Sequence, residues 1–85
     1  EDPDVNVRLA ALDALLNYAD RPLVREGLIR SIADQEAPMM QIAMAEAMVE
    51  LKEKRSVKEL QMLLEKDDIN QMVAQEIRKS ISVLS

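Results

Sequence analysis

Apolar residues recur along the chain at spacings of three and four, and no alternating pattern lasts for the length of a strand. This spacing is typical of amphipathic α-helices. The composition agrees, because strong helix formers dominate and the strong helix breakers are limited to Gly27 and three prolines. We predict five helices, over residues 4–18, 21–33, 37–53, 56–66 and 69–84. The connections are short, so sequential helices are expected to be antiparallel neighbours.

One pattern recurs at a spacing of 33 residues. It reads Val7-Arg8-x-x-Ala11-x-x-Ala14-Leu15, then Met40-Gln41-x-x-Met44-x-x-Ala47-Met48, then Val73-Ala74-x-x-Ile77-x-x-Ser80-Ile81. The first, third and fifth helices therefore share an apolar face, made of Val7, Ala11, Leu15 and Tyr18, of Met40, Met44, Met48 and Leu51, and of Val73, Ile77, Ile81 and Leu84. We expect all three faces in the core of a single domain, 1–85, with units of about 2–34, 35–67 and 68–85.

A second face of the same helices changes character along the chain. It is apolar in the first helix and in the third, at Leu9, Leu12 and Leu16 and at Ile42, Ala45 and Val49, and it is polar in the fifth, at Gln75, Arg78 and Ser82. We therefore expect the first and third helices to be buried from two sides. A polar outer face is what a C-terminal capping helix requires, so we expect the array to end at the fifth helix.

Three local features predict details of the helices. Asp2 before Pro3 is suited to cap the first helix. Ser56 and Glu59 have the spacing of a capping box at the start of the fourth helix. Gly27 lies inside the second helix, where glycine is unfavourable, so we expect it to mark a close approach of another helix.

The residues at the start of the chain resemble the HEAT-repeat family of α-solenoids. The resemblance rests on Asp2-Pro3 and on the run Val7-Arg8-Leu9-Ala10-Ala11-Leu12-Asp13-Ala14-Leu15, and it extends over the whole chain as about two and a half units. It implies an all-α fold of stacked antiparallel helix pairs. Gln41 and Ala74 depart from the pattern, since the family has Arg there, and this argues against a repeating Arg-centred hydrogen-bond ladder.

A narrower resemblance concerns residues 2–16 together with residues 51–57. These segments are similar to HEAT regions that follow an anti-sigma-factor-like zinc-finger segment in some bacterial proteins. The resemblance implies that the chain is the C-terminal part of a bacterial regulatory protein, with any zinc and membrane segments outside these 85 residues. The absence of an initiator Met agrees with a fragment of a longer protein.

Composition excludes several classes of function. The 11 basic and 16 acidic residues give a net charge of −5, which repels nucleic acid. Cys and His are absent, so we predict no metal, no cofactor and no catalytic residues. The apolar runs are too short to span a membrane, and we expect no membrane contact by this segment. A chain without thiols fits both the cytoplasm and the periplasm, so the localisation is not predicted.

Two groups of residues have alternative interpretations. Met40, Met44 and Met48 could form an adaptable binding surface, but their helical spacing favours the core. The pairs Glu46 with Glu50 and Asp67 with Asp68 could serve acid–base chemistry or calcium binding. They lack the further oxygen ligands of a calcium loop and an opposing carboxylate, so we interpret them as solvated surface.

The candidate binding site is a strip on the second and fourth helices. Ile29 and Met62 are 33 residues apart and lie about 140° from the core positions Val24 and Val57 on a helical wheel. Arg25 and Lys58 flank them. Because second helices commonly line the concave surface of a solenoid, we predict that Arg25, Ile29, Lys58 and Met62 bind a protein or peptide. The alternative is that Ile29 and Met62 contact neighbouring helices.

The sequence thus predicts a non-catalytic protein-interaction or scaffold module. A HEAT-like enzyme, such as a bilin lyase or a DNA glycosylase, is one alternative, although a bilin pocket needs more aromatic residues and a glycosylase needs a basic groove. The other alternative is a structural cap of a longer repeat array.

Overall fold

The computed structural model of the protein describes residues 3–85. In this range the chain forms five α-helices, namely α1 (Pro3–Leu16), α2 (Pro22–Ser31), α3 (Pro38–Glu50), α4 (Val57–Leu64) and α5 (Gln71–Leu84). Short 3-10 turns at Ile32–Asp34 and Lys54–Ser56 follow α2 and precede α4. The predicted all-α architecture is confirmed, and each helix is slightly shorter than expected. The predicted cap at Asp2 lies outside the described residues.

Three of the helices, α1, α2 and α3, begin at a proline. The residues before Pro22 and Pro38 have extended backbones and no side-chain cap. Proline suits the first helical turn, because its φ is already helical and its missing N–H has no acceptor there anyway. The start of α5 is different, since the Asn70 side chain accepts hydrogen bonds from the amides of Met72 (2.7 Å) and Val73 (3.4 Å).

The predicted capping box at the start of α4 is wrong. Ser56 is buried within a 3-10 turn, and its hydroxyl donates to the carbonyl of Glu53 at 2.7 Å instead of accepting from α4. Its backbone is already helical, whereas a capping side chain needs an extended residue. Glu53 caps the turn instead, because its carboxylate accepts from the amide of Arg55.

The helices form one core in which α3 and α5 are central. α3 packs most extensively against α5, α4 packs against α5 and the first 3-10 turn, and α1 packs against α3. The core contains the buried residues Val5, Leu12, Leu28, Ile29, Ile32, Met40, Met44, Ala45, Ala47, Met48, Leu60, Leu63, Val73, Ile77 and Leu84. The core role predicted for the three methionines of α3 is therefore confirmed.

The structure contradicts the prediction that α1 buries the repeat face. Val7, Leu15 and Tyr18 are 67%, 44% and 51% exposed, whereas the equivalent Met40 and Met48 are 4% and 0% exposed. α1 has α3 as its main packing partner, and a helix turns one stripe toward one neighbour. The stripe that α1 uses is Val5, Leu9, Leu12 and Leu16, so the repeat face lies open to solvent.

Three further predictions concern the polar face of α5, the departure at Gln41 and the glycine at position 27. The polar face of α5, formed by Gln75, Arg78 and Ser82, is exposed. Gln41, at the position of the family's Arg, is buried and donates to the carbonyl of Gln35 at 2.8 Å, which ties the start of α3 to the preceding connection. The close approach expected at Gly27 is wrong, since nothing lies within 4 Å of the position that a Cβ would occupy.

Candidate protein-interaction surface

The predicted α2–α4 strip does not form a continuous surface. Ile29 is 7% exposed and belongs to the core, so its predicted exposure is wrong. Arg25 is half-buried and held by hydrogen bonds, while Lys58 and Met62 lie at the surface. The four residues are therefore divided between the core and the surface. Protein binding through Arg25, Lys58 and Met62 stays a prediction.

The predicted strip is divided because α2 and α4 do not bury equivalent positions of the 33-residue repeat. α2 buries Leu28 and Ile29, and the turn after it buries Ile32. In α4 the buried residues are Leu60 and Leu63, which align with Gly27 and Arg30 in α2. The two second helices therefore turn different faces inward. Val24 and Val57, the positions expected on the core side, are both only half-buried.

A buried carboxylate organises the residues around Arg25. Glu53 is 6% exposed and accepts from Arg55 through Nε at 2.9 Å and Nη2 at 3.0 Å. Arg25 donates through Nη1 to the same carboxylate at 3.4 Å and through Nε to the carbonyl of Ala19 at 2.9 Å. Arg55 also reaches Glu26 of α2 at 2.7 Å. This cluster joins α2 to the α3–α4 connection.

Hydrogen bonds from Arg55 lower the pKa of Glu53, although burial acts in the opposite direction. The same contacts raise the pKa of Arg55. Each oxygen of Glu53 already accepts hydrogen bonds from arginine donors, and Arg25 uses its Nε and Nη1 groups within this network. The cluster therefore has a structural role. The sequence offered little sign of it, because Glu53 and Arg55 are two residues apart and lie outside the helical spacing of charge pairs.

The repeat face described above leaves apolar side chains of α1 exposed. We call Val7, Ala11 and Leu15 of α1, together with Tyr18 in the turn that follows the helix, the outer face of α1. All four residues are exposed, and Arg21 covers one edge by placing its guanidinium 5.3 Å from the centre of the Tyr18 ring. Arginine over an aromatic face is a favourable cation–π contact. This contact does not cover Val7 or Leu15, which stay exposed.

A groove of about 570 Å³ lies on another side of α1, between α1 and α3. We call it the α1–α3 groove. Its apolar part is formed by Leu9, Leu12, Leu16, Ala43, Ala47 and Val49, and its polar part by Asp13, Glu46 and Glu50. The sequence predicts that the leucines are buried and that Glu46 and Glu50 are solvated. It did not predict that a gap between the helices would bring the two groups together.

The described residues offer little for acid–base or metal chemistry. No three Asp or Glu side chains among them come close enough to hold a metal ion. Glu46, Glu50, Asp67 and Asp68 are all exposed, as expected for solvated carboxylates. No helix in residues 3–85 has the length and apolar character needed to span a bilayer.

The comparisons with known proteins agree with the repeat architecture. A family model of HEAT repeats matches residues 1–82, which is nearly the whole chain. No match was found among curated proteins or among solved structures. The 33-residue pattern, the all-α fold and the match along almost the full length lead to one assignment. The chain belongs to the HEAT-repeat family.

Proposed function

We propose that this chain is a non-catalytic protein-binding module whose main contact surface is the outer face of α1. HEAT repeats generally serve as protein-interaction scaffolds. The observation that carries the proposal is the contrast within the repeat, since Leu15 is 44% exposed and its equivalent Met48 is fully buried. Exposed apolar side chains grouped on one face commonly mark an interaction site.

The repeat also indicates what kind of surface fits there. The equivalent faces of α3 and α5 are covered within an all-helical core. A partner helix that presents aliphatic side chains would cover the outer face of α1 in the same way, by inserting them between Val7, Leu15 and Tyr18. The site would gain stabilisation mainly from burial of apolar area.

A regulatory role is a finer proposal that depends on the resemblance to bacterial anti-sigma-factor-like proteins. In that case the partner is a regulatory protein and the chain is an adaptor. The exposed residues Lys58 and Met62 of α4 form a smaller second candidate surface. The alternative of a purely structural cap predicts that no separate protein binds the outer face.

Site-specific photo-crosslinking tests the proposal. A photoreactive amino acid replaces Tyr18 on the outer face or, as the control, Gln75 on the exposed face of α5. The expected result is a defined protein crosslinked from position 18, absent from position 75, and lost when Val7 and Leu15 are both changed to Lys. Equal crosslinking at the two positions, or none from position 18, would overturn the proposal.

A further inference from the structure

The walls of the α1–α3 groove carry charge of one sign. Asp13 projects from α1, and Glu46 and Glu50 project from α3, while no basic residue lines the groove. Within residues 3–85 none of these three carboxylates takes part in an ion pair. Neither do they come close enough together to hold a metal ion. Facing carboxylates repel each other, and a cation between them would remove that repulsion.

The equivalent junction between α3 and α5 shows how the same architecture is completed. There the position of Glu46 is taken by Lys79, that of Glu50 by Val83 and that of Ala43 by Glu76. Lys79 pairs with Glu76 at 3.8 Å, so the second wall has no net charge from these sites. Leu12 of α1 corresponds to Ala45 of α3. α3 and α5 are in more extensive contact than α1 and α3. A smaller groove of about 370 Å³ remains at their junction, and its charged lining residues are the lysines Lys52 and Lys54.

We propose that the α1–α3 groove binds an amphipathic helix that carries a stripe of aliphatic side chains flanked by Lys or Arg. The aliphatic side chains would pack on Leu9, Leu16 and Ala43. The basic side chains would pair with the carboxylates on both walls. This binding surface is separate from the outer face of α1, because it lies on a different side of that helix, and so it goes beyond the function proposed above.

A helix fits this groove better than an extended peptide. The walls are α-helices whose backbone groups are already hydrogen-bonded within α1 and α3. An extended peptide would find no free strand edge there, and its own backbone groups would be buried without partners. A helix satisfies its backbone internally and presents only side chains.

Fluorescence anisotropy with designed peptides tests the proposal on the full 85-residue chain. The probe is a fluorescein-labelled 16-residue helix with leucines on one stripe and lysines beside it. One control peptide has glutamate in place of every lysine. Another keeps the composition of the probe but scatters the leucines around the helix. We expect the basic striped helix to bind, the other two to bind at least about tenfold more weakly, and the affinity to fall as salt is raised.

Two matched charge reversals separate the groove from the overall charge. The change Glu46→Lys with Glu50→Lys and the control change Asp67→Lys with Asp68→Lys each leave 13 basic and 14 acidic residues, for a net charge of −1. The groove variant is expected to weaken binding of the basic helix roughly tenfold and to strengthen binding of the acidic one. The affinity of the control variant for the basic helix should stay within about twofold of the parent's affinity, because Asp67 and Asp68, in the turn between α4 and α5, do not line the groove.

A third variant fills the groove without changing charge. Ala43 is half-buried at the groove, so Ala43→Leu adds volume there, and it should weaken the basic helix roughly tenfold while the thermal melt stays cooperative. Three outcomes would overturn the proposal. The two charge-reversed variants could lose the same affinity for the basic helix, the scattered-leucine peptide could bind as tightly as the probe, or no peptide could bind at all. Self-association that Ala43→Leu abolishes would also overturn it, since the occupant would then be a second copy.

The two proposals fail independently. A Leu15→Lys change on the outer face should leave binding of the basic helix within about twofold of the parent. If no peptide binds but the crosslink from position 18 is present, only the groove proposal is wrong. If the peptide binds but no crosslink forms from position 18, only the function proposed for the outer face is wrong.

Discussion

At the residue scale, the end of α3 depends on a backbone conformation that lysine disfavours. Lys52 has a φ of 54°, the amide of Glu53 donates to the carbonyl of Met48 at 2.9 Å, and that of Lys52 donates to Val49 at 3.0 Å. These bonds form a Schellman motif, in which glycine is the usual residue at the left-handed position. We expect Lys52→Gly to raise the free energy of unfolding by about 0.5–1 kcal/mol in urea denaturation. The control Lys54→Gly, at a position without a positive φ, should lower it.

Lys52 is a lysine where glycine is favoured, whereas Gly27 is a glycine where none is required. It lies inside α2, and nothing in the described residues would contact an added Cβ there. Alanine restricts the unfolded chain and fits the open space beside the helix. We therefore expect Gly27→Ala to stabilise the protein by about 0.5–1 kcal/mol. Thermal and urea unfolding of the variant beside the parent measure this. A lower melting temperature would show that some contact requires the glycine.

Glu53 couples stability to pH. Its pKa is lower in the folded chain than its ordinary value of 4.5, so the unfolded chain binds more protons as the pH falls. The stabilisation that ionised Glu53 gives the folded chain is thus complete well above pH 4.5. It is lost as the pH drops through the pKa that Glu53 has in the folded chain. At about pH 7 we expect Glu53→Gln to cost about 1–3 kcal/mol, because Arg25 and Arg55 lose a buried charged acceptor.

Urea unfolding between about pH 3 and pH 7 checks this dependence. The free energies of the parent and of Glu53→Gln should converge toward the acid end of the range. The control Glu65→Gln, an exposed carboxylate, should differ from the parent by no more than about 0.5 kcal/mol at any pH. A constant gap between the parent and Glu53→Gln would contradict the account.

At the element scale, α1 and α3 share a repeat pattern but use different faces for packing. Leu15 and Met48 occupy equivalent positions, one exposed and the other in the core. We expect Met48→Ala to cost about 2–5 kcal/mol, since it leaves a cavity. Leu15→Ala should cost no more than about 0.5 kcal/mol. Similar losses in the two variants would mean that α1 buries its outer face in solution.

α5 is polar on the face that is apolar in α1. Gln75, Arg78 and Ser82 are exposed where α1 has Leu9, Leu12 and Leu16. Replacing the three polar residues by Leu should create an apolar face and cause self-association, because no other element covers it in residues 3–85. Sedimentation of the triple variant beside the parent tests this. A variant with the same sedimentation as the parent would show that the face is already covered.

At the scale of the whole molecule, the helices form a flat body of 34 × 32 × 16 Å with unequal packing. α3 and α5 share the most extensive helix contact, and α1 is attached mainly through one stripe on α3. Local opening costs least where few apolar contacts are lost. We expect native-state hydrogen exchange to show α1 opening at a lower free energy than α3 and α5. Equal protection of all three helices would contradict this hierarchy.

Much of the fold could be predicted because it depends on local information. Helix positions follow from helix propensity, proline placement and spacings of three and four, and the methionine stripe of α3 proved to be buried as its pattern indicated. The family could also be identified from the repeat. These features hold within one helix or between identical spacings, so they need no knowledge of which helices are neighbours.

The tertiary structure decided which apolar face each helix buries. α1 has two such faces, and packing on α3 selected the leucine stripe over Val7 and Leu15. The same kind of choice buried Ile29 and left Met62 exposed at the equivalent position. Glu53 and Arg25, distant in sequence, meet only after α2 and the end of α3 have docked. Burial and ion pairing are properties of pairs of elements, so periodicity within one helix predicts its candidate faces, and only its neighbours determine which face is covered.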